Sequence, residues 1–580
     1  MPATRVTIAS NSKQSQKAPL LIPSATSFDP AASPSCYSLV INTAQSKLRL
    51  KKASRIFVHG GRELTAPEDW EDVLKNDVTL LISVGEDYVG LRMDKDLAAG
   101  GEAGQKAVPG VNSDCPVEVL ADSAFVDNLS ITQLETTART LPGIIHAVGQ
   151  PDLHPGTKFP IGSVFVSKGW VHPPLIGGDI GCGMAWYKTR LSRAQVEGDK
   201  GRKIAEKLRG LEGTWRTQKA RETWLQTDGK ANSSAGEEWD AALGTVGAGN
   251  HFAEIQVVEE STIKDSPRNA PKFQSELYEG EVVLLVHSGS RGYGSHILNN
   301  FIKDGDRTGI PENDPLAKEY LEAHNRACAW ASGNRDLIAL RFFACLEPGD
   351  DLWDLGINKS DSTPESVIRA ARQAVQSRKV VSIHHNNVEH ANWPPSLSSS
   401  HNGDLSSAIA GLAVGKSDKV YIHRKGAAPT HDPVTNIPLS ILPLPGSRAT
   451  PTLILHPTFN STNAYGDMNA LSLAHGAGRA LSRAKAATYV AEKYGGKADD
   501  LLRGDFVRAD KKGNKQLGDG TGRDVNGGCW VVCEEKALVW EEASEAYKDV
   551  WDVGEDLLKK GCAERWGWCR GRVSYKVRKE

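Results

Sequence analysis

Short apolar runs alternate with polar, glycine-rich turns along most of the chain, and many runs carry the β-branched residues that suit strands. Val282-Val283-Leu284-Leu285-Val286 leads into His287-Ser288-Gly289-Ser290-Arg291-Gly292, and Val380-Val381-Ser382-Ile383 into His384-His385-Asn386-Asn387. Val420-Tyr421-Ile422 leads into His423-Arg424-Lys425-Gly426, and Thr245-Val246-Gly247-Ala248-Gly249 precedes Asn250-His251-Phe252. Loops that follow strand ends are where sheet proteins hold ligands. A lone histidine there is ordinarily structural, but histidines in four Gly- or Asn-rich turns point to a shared site. Ser472-Leu473-Ala474-His475-Gly476-Ala477-Gly478-Arg479 precedes a segment, Ala480 to Ala486, of strongly helical composition. His475 is thus expected just before a helix N-terminus, where free N–H groups favour a phosphate. Two roles fit that position: a histidine that reacts with the phosphate, or a loop histidine that caps the helix.

The first part of the chain reads differently. Met1 to Phe28 is Ser/Pro/Ala-rich and free of acidic residues, so residues 1–30 are expected to form a disordered tail. From Tyr37 to Val89, apolar runs (Tyr37–Val40, Ile56–Val58, Leu80–Val84) and a short helical stretch, Glu68–Leu74, suggest a ubiquitin-like β-grasp module over 36–92 for docking or regulation. An irregular extension packed on the main domain is the alternative. Residues 93–114, with Gly/Ala-rich Ala98–Ser113, read as a linker, and the main domain runs over 115–580. Glu212–Glu238, Ser261–Ser275, Glu389–Asp418 and Arg503–Gly528 read as polar surface insertions.

A chain of 580 residues, 62.6 kDa, has room for a large core and a smaller second domain. The formal net charge of −2 provides no global basic field for nucleic acid, though a local basic groove stays compatible with it. Nine scattered cysteines favour reduced thiols and a cytoplasmic home, and no apolar run is long enough to span a membrane.

Gly178-Asp179-Ile180-Gly181-Cys182-Gly183-Met184 follows the apolar Pro174-Leu175-Ile176 and sets a carboxylate and a thiol three positions apart on a glycine-rich turn. A hard and a soft ligand on one short segment suit a metal. Gly411-Leu412-Ala413-Val414-Gly415-Lys416-Ser417 is not a phosphate-binding P-loop, because Ala410 occupies the place of the first required glycine. Cys529, Cys533, Cys562 and Cys569 lack the knuckle spacing of a zinc ribbon, and read as buried free thiols.

Taken in order, these segments resemble the RtcB RNA-splicing ligases. The resemblance is carried by Gln150-Pro151-Asp152-Leu153-His154-Pro155-Gly156 with Phe159–Gly162, Gly178–Met184, Gly247–Glu254, His287–Gly294, His385-Asn386, His423–Ala427, Pro445–Ser447, His475–Arg479 and Glu542–Val550. It spans the chain from about Cys115 to the C-terminus. It implies an α+β fold of mixed sheet and helix, and a ligase that joins 2′,3′-cyclic phosphate or 3′-phosphate RNA ends to 5′-hydroxyl ends, in tRNA splicing or RNA repair, with GTP and two Mn²⁺. By position it implies metal ligands Asp179, Cys182, His251, His287 and His385, with Cys182 shared, and His475 as the nucleophile guanylylated by GTP. Nucleotide contacts are implied for Asn250, His251, Phe252, Ala253, Glu254, His385, Asn386, Pro445, Gly446, Ser447, Arg448, Thr452, His475, Gly476, Ala477, Gly478, Tyr547 and Lys576. Arg291, Arg424 and Lys425 are the RNA-phosphate candidates, and an archease-type activator is the implied protein partner. Ligand softness alone predicts Zn²⁺ as readily as Mn²⁺, so manganese comes from the resemblance.

The chain departs from the family at several points. Arg448-Ala449 stand where Met-Gly is usual, and Thr452 replaces a serine. Ala391 stands where an acid is expected, with Glu389 two positions early, and Val577 to Glu580 extend past Lys576. Two rival readings follow: a relative that guanylylates 3′-phosphate ends without joining them, and a catalytically silent RNA-binding scaffold.

Overall fold

The structure, a computed structural model, describes residues 4–12, 16–23, 26–29, 32, 34–58, 62–67, 69–70, 78–86, 114–226, 232–263, 276–302, 308–357, 363–395, 418–433, 435–504 and 528–576. The chain forms two compact units, Met1–Val108 and Pro109–Glu580.

In the first unit, Thr4–Ser10 pairs antiparallel with Lys17–Ile22 and parallel with Thr79–Ser83, which pairs antiparallel with Arg55–Val58. The tail expected over residues 1–30 therefore carries two strands. Their alternating Val6, Ile8, Leu20 and Ile22 are buried against Val40, Ala44, Leu80 and Ile82, a period-2 pattern that the polar composition around it obscures. Tyr37–Val40, read as an extended run, lies in the helix Cys36–Lys47. The Ser35/Ser38 capping box starts that helix, and Cys36, Val40, Ile41 and Ala44 are its buried face. Trp70 is buried, whereas the rest of the helical stretch expected over Glu68–Leu74 falls largely outside the described residues, as does the linker up to Ser113.

The second unit is α+β. Its large sheet runs in the order Lys379–His384, Gly183–Ser192, Glu281–Ser288, Phe252–Ser261, Ala563–Tyr575, Thr452–Pro457, Leu442–Pro445, with Trp530–Val532 added parallel to Ala563–Tyr575. Both faces are covered. Val282, Leu284 and Val286 pack with a helical layer, while Val283 and Leu285 belong to a second core shared with Val164, Val166, Val420 and Ile422 of a smaller sheet. That sheet runs Asn386–Trp393, Asp418–Lys425, Ile161–Ser167, Ile144–His154, Val117–Val119.

In the helical layer, Pro315–Leu346 begins at the Asp314 cap with proline in its first turn and is buried continuously from Gly333 to Ala344. Its Arg335 donates to the carbonyls of Gly181 and Ser288 at 3.1 and 3.0 Å. Asn334 accepts from Gly244 N and donates to the carbonyls of Thr245 and Gly289. One helix thus fixes three loops at one end of the large sheet.

Two expected insertions are structural. Within Glu212–Glu238, the helix Gln218–Leu225 sinks Trp224 into the core, and Trp215 Nε1 donates to Leu355 O. Glu389 is buried in the smaller sheet. Much of Ser261–Ser275 and Arg503–Gly528, the rejected P-loop stretch and Val577–Glu580 lie outside the described residues. No helix among the described residues is long and apolar enough to cross a membrane.

Candidate metal centre and nucleotide cavity

Four neighbouring antiparallel strands of the large sheet explain why the metal-ligand candidates meet. Antiparallel order sets the start of one strand beside the end of the next: Gly183 pairs with Ser288 and His384, and Phe252 pairs with His287. Cys182 and His251 stand just before strand starts; His287 and His385 stand at strand ends. Thr245–Gly249, read as a strand before His251, is a turn, and the strand follows it. The Asp179–Cys182 turn is tied to the facing loop by His385 N to Cys182 O (2.8 Å), Gly181 N to Asn386 O (2.9 Å) and Asn386 Nδ2 to Asp179 O (3.1 Å).

The donor atoms converge. Cys182 Sγ lies 3.1 Å from His251 Nε2, 3.4 Å from His287 Nε2 and 3.2 Å from His385 Nε2. His251 Nε2 is 3.0 Å from Asp179 Oδ2, and the Nε2 atoms of His287 and His385 are 3.3 Å apart. These form two potential ligand sets, Asp179–Cys182–His251 and Cys182–His287–His385, which share the thiol. Burial lowers the pKa values of His287 and His385 far below the usual imidazole range, so both rings are neutral and offer lone pairs. Burial, reinforced by the Asp179 carboxylate, pushes the Cys182 thiol well up, so its thiolate needs a cation beside it. Two imidazole nitrogens aimed at each other and at one thiol fit a pair of divalent cations. With carboxylate and thiolate both ionised, two such cations leave the centre at +2, a charge suited to phosphates.

Beyond the centre lies a cavity of about 160 Å³. Asn250, Phe252, His287, Pro445, Gly446, Ser447, Arg448, His475, Gly476, Ala477, Gly478, Tyr547 and Lys576 line it; all but His287, expected as a metal ligand, were expected as nucleotide contacts. His475 sits between cavity and metal centre, its ring centroid 4.6 Å from that of His385. Gly426 has φ +66°, and a Cβ there would lie 2.9 Å from His475 Cε1, so glycine keeps space for the ring. The expected helix N-terminus is not at His475, because the following helix is Arg483–Lys493, capped by Ser482. The chain between them forms a loop in which Ala477 N bonds Pro445 O and Arg479 bridges to Tyr547.

The residue that orients His475 was not singled out from the sequence. Its Nδ1 lies 2.7 Å from Asp152 Oδ2, and Asp152 is fully buried. The carboxylate makes Nδ1 the donor and leaves the Nε2 lone pair free. The signal was present in the Gln150–Gly156 segment, where an acid stands two places before His154. Also unforeseen is Glu542, which gathers Arg479 (3.2 Å), Arg483 (3.4 Å) and the Tyr547 hydroxyl at the cavity wall. Lys576 is 4.0 Å from it and donates to His251 O. Burial, against the opposing pull of Glu542, lowers the Lys576 pKa to about 8.

Besides His251 and His385 of the candidate metal centre, four expected nucleotide contacts are not among the lining residues. The Glu254 carboxylate accepts from Gln256 Nε2 (2.9 Å) and Ala449 N (2.8 Å), and burial pushes its pKa up to about 7. Thr452 Oγ1 accepts from Gln256, Asn386 braces the metal turn, and Ala253 packs into the sheet core. Glu254, Thr452 and Asn386 are thus each hydrogen-bonded to neighbouring backbone or amide groups.

Among the RNA-phosphate candidates, Arg291 borders the centre, with Nη1 3.2 Å from His251 Nδ1. It holds φ +58° at the start of helix Gly292–Phe301. Gly247 makes room for its guanidinium, since a Cβ there would lie 1.7 Å from Nη1. Lys425 passes over Gly177 within the influence of the Asp179 charge. Arg424 is different: it is fully buried and paired with Glu389 at 2.5 Å, while Glu389 also binds His431 Nε2 at 2.6 Å. Its charge is neutralised inside the fold and does not face a ligand. His423 does not join the centre either; it is buried, and its Nε2 accepts from His172 N.

A family model described as tRNA-splicing ligase RtcB matches residues 133–220 and 210–513. The RNA-splicing ligase RtcB2 of Escherichia coli is 31% identical over 77% of this chain and 92% of its own length. The tRNA-splicing ligase RtcB of Pyrobaculum aerophilum is 26% identical over 78% and 92%, and the RNA-splicing ligase RtcB homolog 1 of Entamoeba dispar 26% over 75% and 79%. With the shared-thiol centre and the oriented histidine in one cavity, these matches establish that the chain belongs to the RtcB family.

Proposed function

We propose that this protein is a GTP- and Mn²⁺-dependent RNA ligase that joins 3′-phosphate or 2′,3′-cyclic phosphate ends to 5′-hydroxyl ends through a histidine–GMP intermediate. The observation that carries this reading is His475, with Nδ1 committed to Asp152 and Nε2 free, beside two ligand sets that share Cys182. In this mechanism His475 Nε2 attacks the α-phosphorus of GTP; the Nε2–P bond forms, the bond to the bridging oxygen breaks, and pyrophosphate leaves with that electron pair. Asp152 stabilises the positive charge that the ring acquires. An oxygen of the RNA 3′-phosphate then attacks the same phosphorus and releases His475, and the 5′-hydroxyl oxygen displaces GMP to form the phosphodiester as its proton departs. Water first opens a cyclic phosphate end.

Cations held by Asp179, Cys182, His251, His287 and His385 would supply Lewis-acid neutralisation of phosphate oxygens. In this reading Arg291, beside His251, and Lys425, beside Gly177, receive the RNA phosphate. The nine cysteines are unpaired, which fits work in the cytoplasm. The first unit, whose helix packs on a four-stranded sheet with its first and last strands adjacent and parallel, serves in this reading as a β-grasp-like docking module. An archease-type activator remains part of the proposal.

The test is incubation with α-labelled GTP and Mn²⁺, followed by a denaturing gel. Wild-type protein is expected to retain label and His475→Ala to lose it. Absence of label from metal-loaded wild type, with ATP also tried, overturns the reading.

A further inference from the structure

His475 and Asp152 come from different sheets, and one residue is bonded to both of their segments. In the strand Ile144–His154, Gly149 pairs with Ser163 and His154 with Ile161. Gln150–Leu153 therefore face Gly162 alone and bulge out of the ladder, which aims the Asp152 side chain at His475. Ladder hydrogen bonds cannot serve every carbonyl of such a bulge. Lys548 Nζ donates to two of them, Pro151 O at 3.0 Å and Leu153 O at 2.7 Å, on either side of Asp152. His154 Nδ1 donates to the one between, Asp152 O, at 2.8 Å. The main-chain N–H of Lys548 donates to Gly478 O at 3.0 Å, three residues after His475. Lys548 thus ties the bulge with its side chain and the His475 loop with its backbone, from a buried position.

The same side chain answers an electrostatic need. Asp152 is fully buried; its Oδ2 meets His475 Nδ1, and its Oδ1 has no hydrogen-bond partner among the described residues. A buried carboxylate held this way needs a positive charge close by. Burial, opposed by the carboxylates of Asp152, Asp556 and Asp127, lowers the Lys548 pKa to about 8, so it is an ammonium at neutral pH. Asp556 is already engaged by the N–H groups of Asp122, Ser123 and Ala124, and Asp127 by Leu129 N. Burial lowers the His154 pKa to about 4, so that ring brings no charge to Asp152.

We propose that Lys548 is a positioning residue for guanylyl transfer: it fixes the Asp152 bulge to the His475 loop and supplies the positive charge opposite the Asp152 carboxylate. This rests on the reading of His475 as the nucleophile. Lys548 is not among the residues that line the nucleotide cavity and lies outside both ligand sets, so it acts through Asp152.

The experiment compares wild type, Lys548→Met, Asp152→Asn and the double variant as full-length, Mn²⁺-loaded protein, by the rate of label transfer from GTP. Lys548→Met is expected to slow transfer about 10–100-fold, with GMP affinity and metal content within about 2-fold of wild type. In the Asp152→Asn background the same change is expected to cost at most about 3-fold, because both residues act on one hydrogen bond. The spectroscopic readout is the His475 Nδ1–H proton in protein carrying ¹⁵N-histidine and diamagnetic Zn²⁺, identified by its loss in His475→Ala. That resonance is expected in wild type and is expected to be lost by exchange with water in Lys548→Met. If Lys548→Met fails to fold, Lys548→Gln, which keeps a donor and loses the charge, carries the test with the same losses expected.

Wild-type transfer in the Lys548 variant overturns the assignment. So does a loss that repeats in full in the Asp152→Asn background, or a His475 resonance that persists without Lys548; either makes the residue structural only. No label in the wild type overturns the ligase reading, and the resonance then decides on Lys548 by itself.

Discussion

At the scale of single residues, the proposed nucleophile, His475, is oriented by Asp152, 2.7 Å from its Nδ1. Asp152 fixes which nitrogen of His475 carries the proton, and an amide offers the ring a weaker and reversible partner. Asp152→Asn is therefore expected to slow label transfer from GTP by about 10²–10⁴-fold, with GMP affinity within a few-fold of wild type. A parallel loss of GMP binding would instead mean that the side chain shapes the cavity. The convergence of Asp179, Cys182, His251, His287, His385 and His475 on one place was legible in the sequence because each stands in a turn whose composition makes little structural sense without a ligand. Asp152 was harder, since an acid inside a Gly/Pro-rich segment is equally a turn residue. Arg424 shows the converse failure. A cation after a strand and before glycine looks exposed, and only the distant Glu389, an acid apparently out of place in the family pattern, reveals that it is paired inside.

Among elements, the helix Pro315–Leu346 holds the centre without contributing a ligand. Arg335 reaches the carbonyl of Gly181, in the Asp179–Cys182 turn, and that of Ser288, next to His287. Arg335→Met removes a donor from Ser288 O and leaves Gly181 O with His384 Nδ1 as its remaining side-chain partner, with an expected loss of about 1–3 kcal/mol in unfolding free energy. Metal content after gel filtration should fall with it; full metal occupancy in the destabilised variant would confine the residue to stability. The strands were legible from their runs and the sheet's end from its histidines. The role of this helix was not, because hydrogen bonds from a side chain to a remote carbonyl leave no periodic trace. The segment around Trp215 and Trp224 was misread because its polar residues outnumber the two tryptophans that anchor it.

For the whole molecule, none of the proposed metal ligands belongs to an apolar cluster, although Ile180 and Phe252 beside them do. Two continuous apolar clusters flank the large sheet, and a third belongs wholly to the first unit. Removal of metal by a chelator is accordingly expected to abolish label transfer while far-ultraviolet circular dichroism stays native; unfolding on chelation would make the cations structural. The start of the first unit was taken for a tail because its short strands are diluted by Ser, Pro and Lys.

The thiol common to both ligand sets has a last consequence. The first cation to arrive bears the cost of ionising Cys182, and the second meets a thiolate already formed, which offsets part of the repulsion between the two charges. Loading is then linked to release of a single shared proton. Loading of such a centre begins at a lower concentration of free metal as pH increases, because one deprotonation serves both cations.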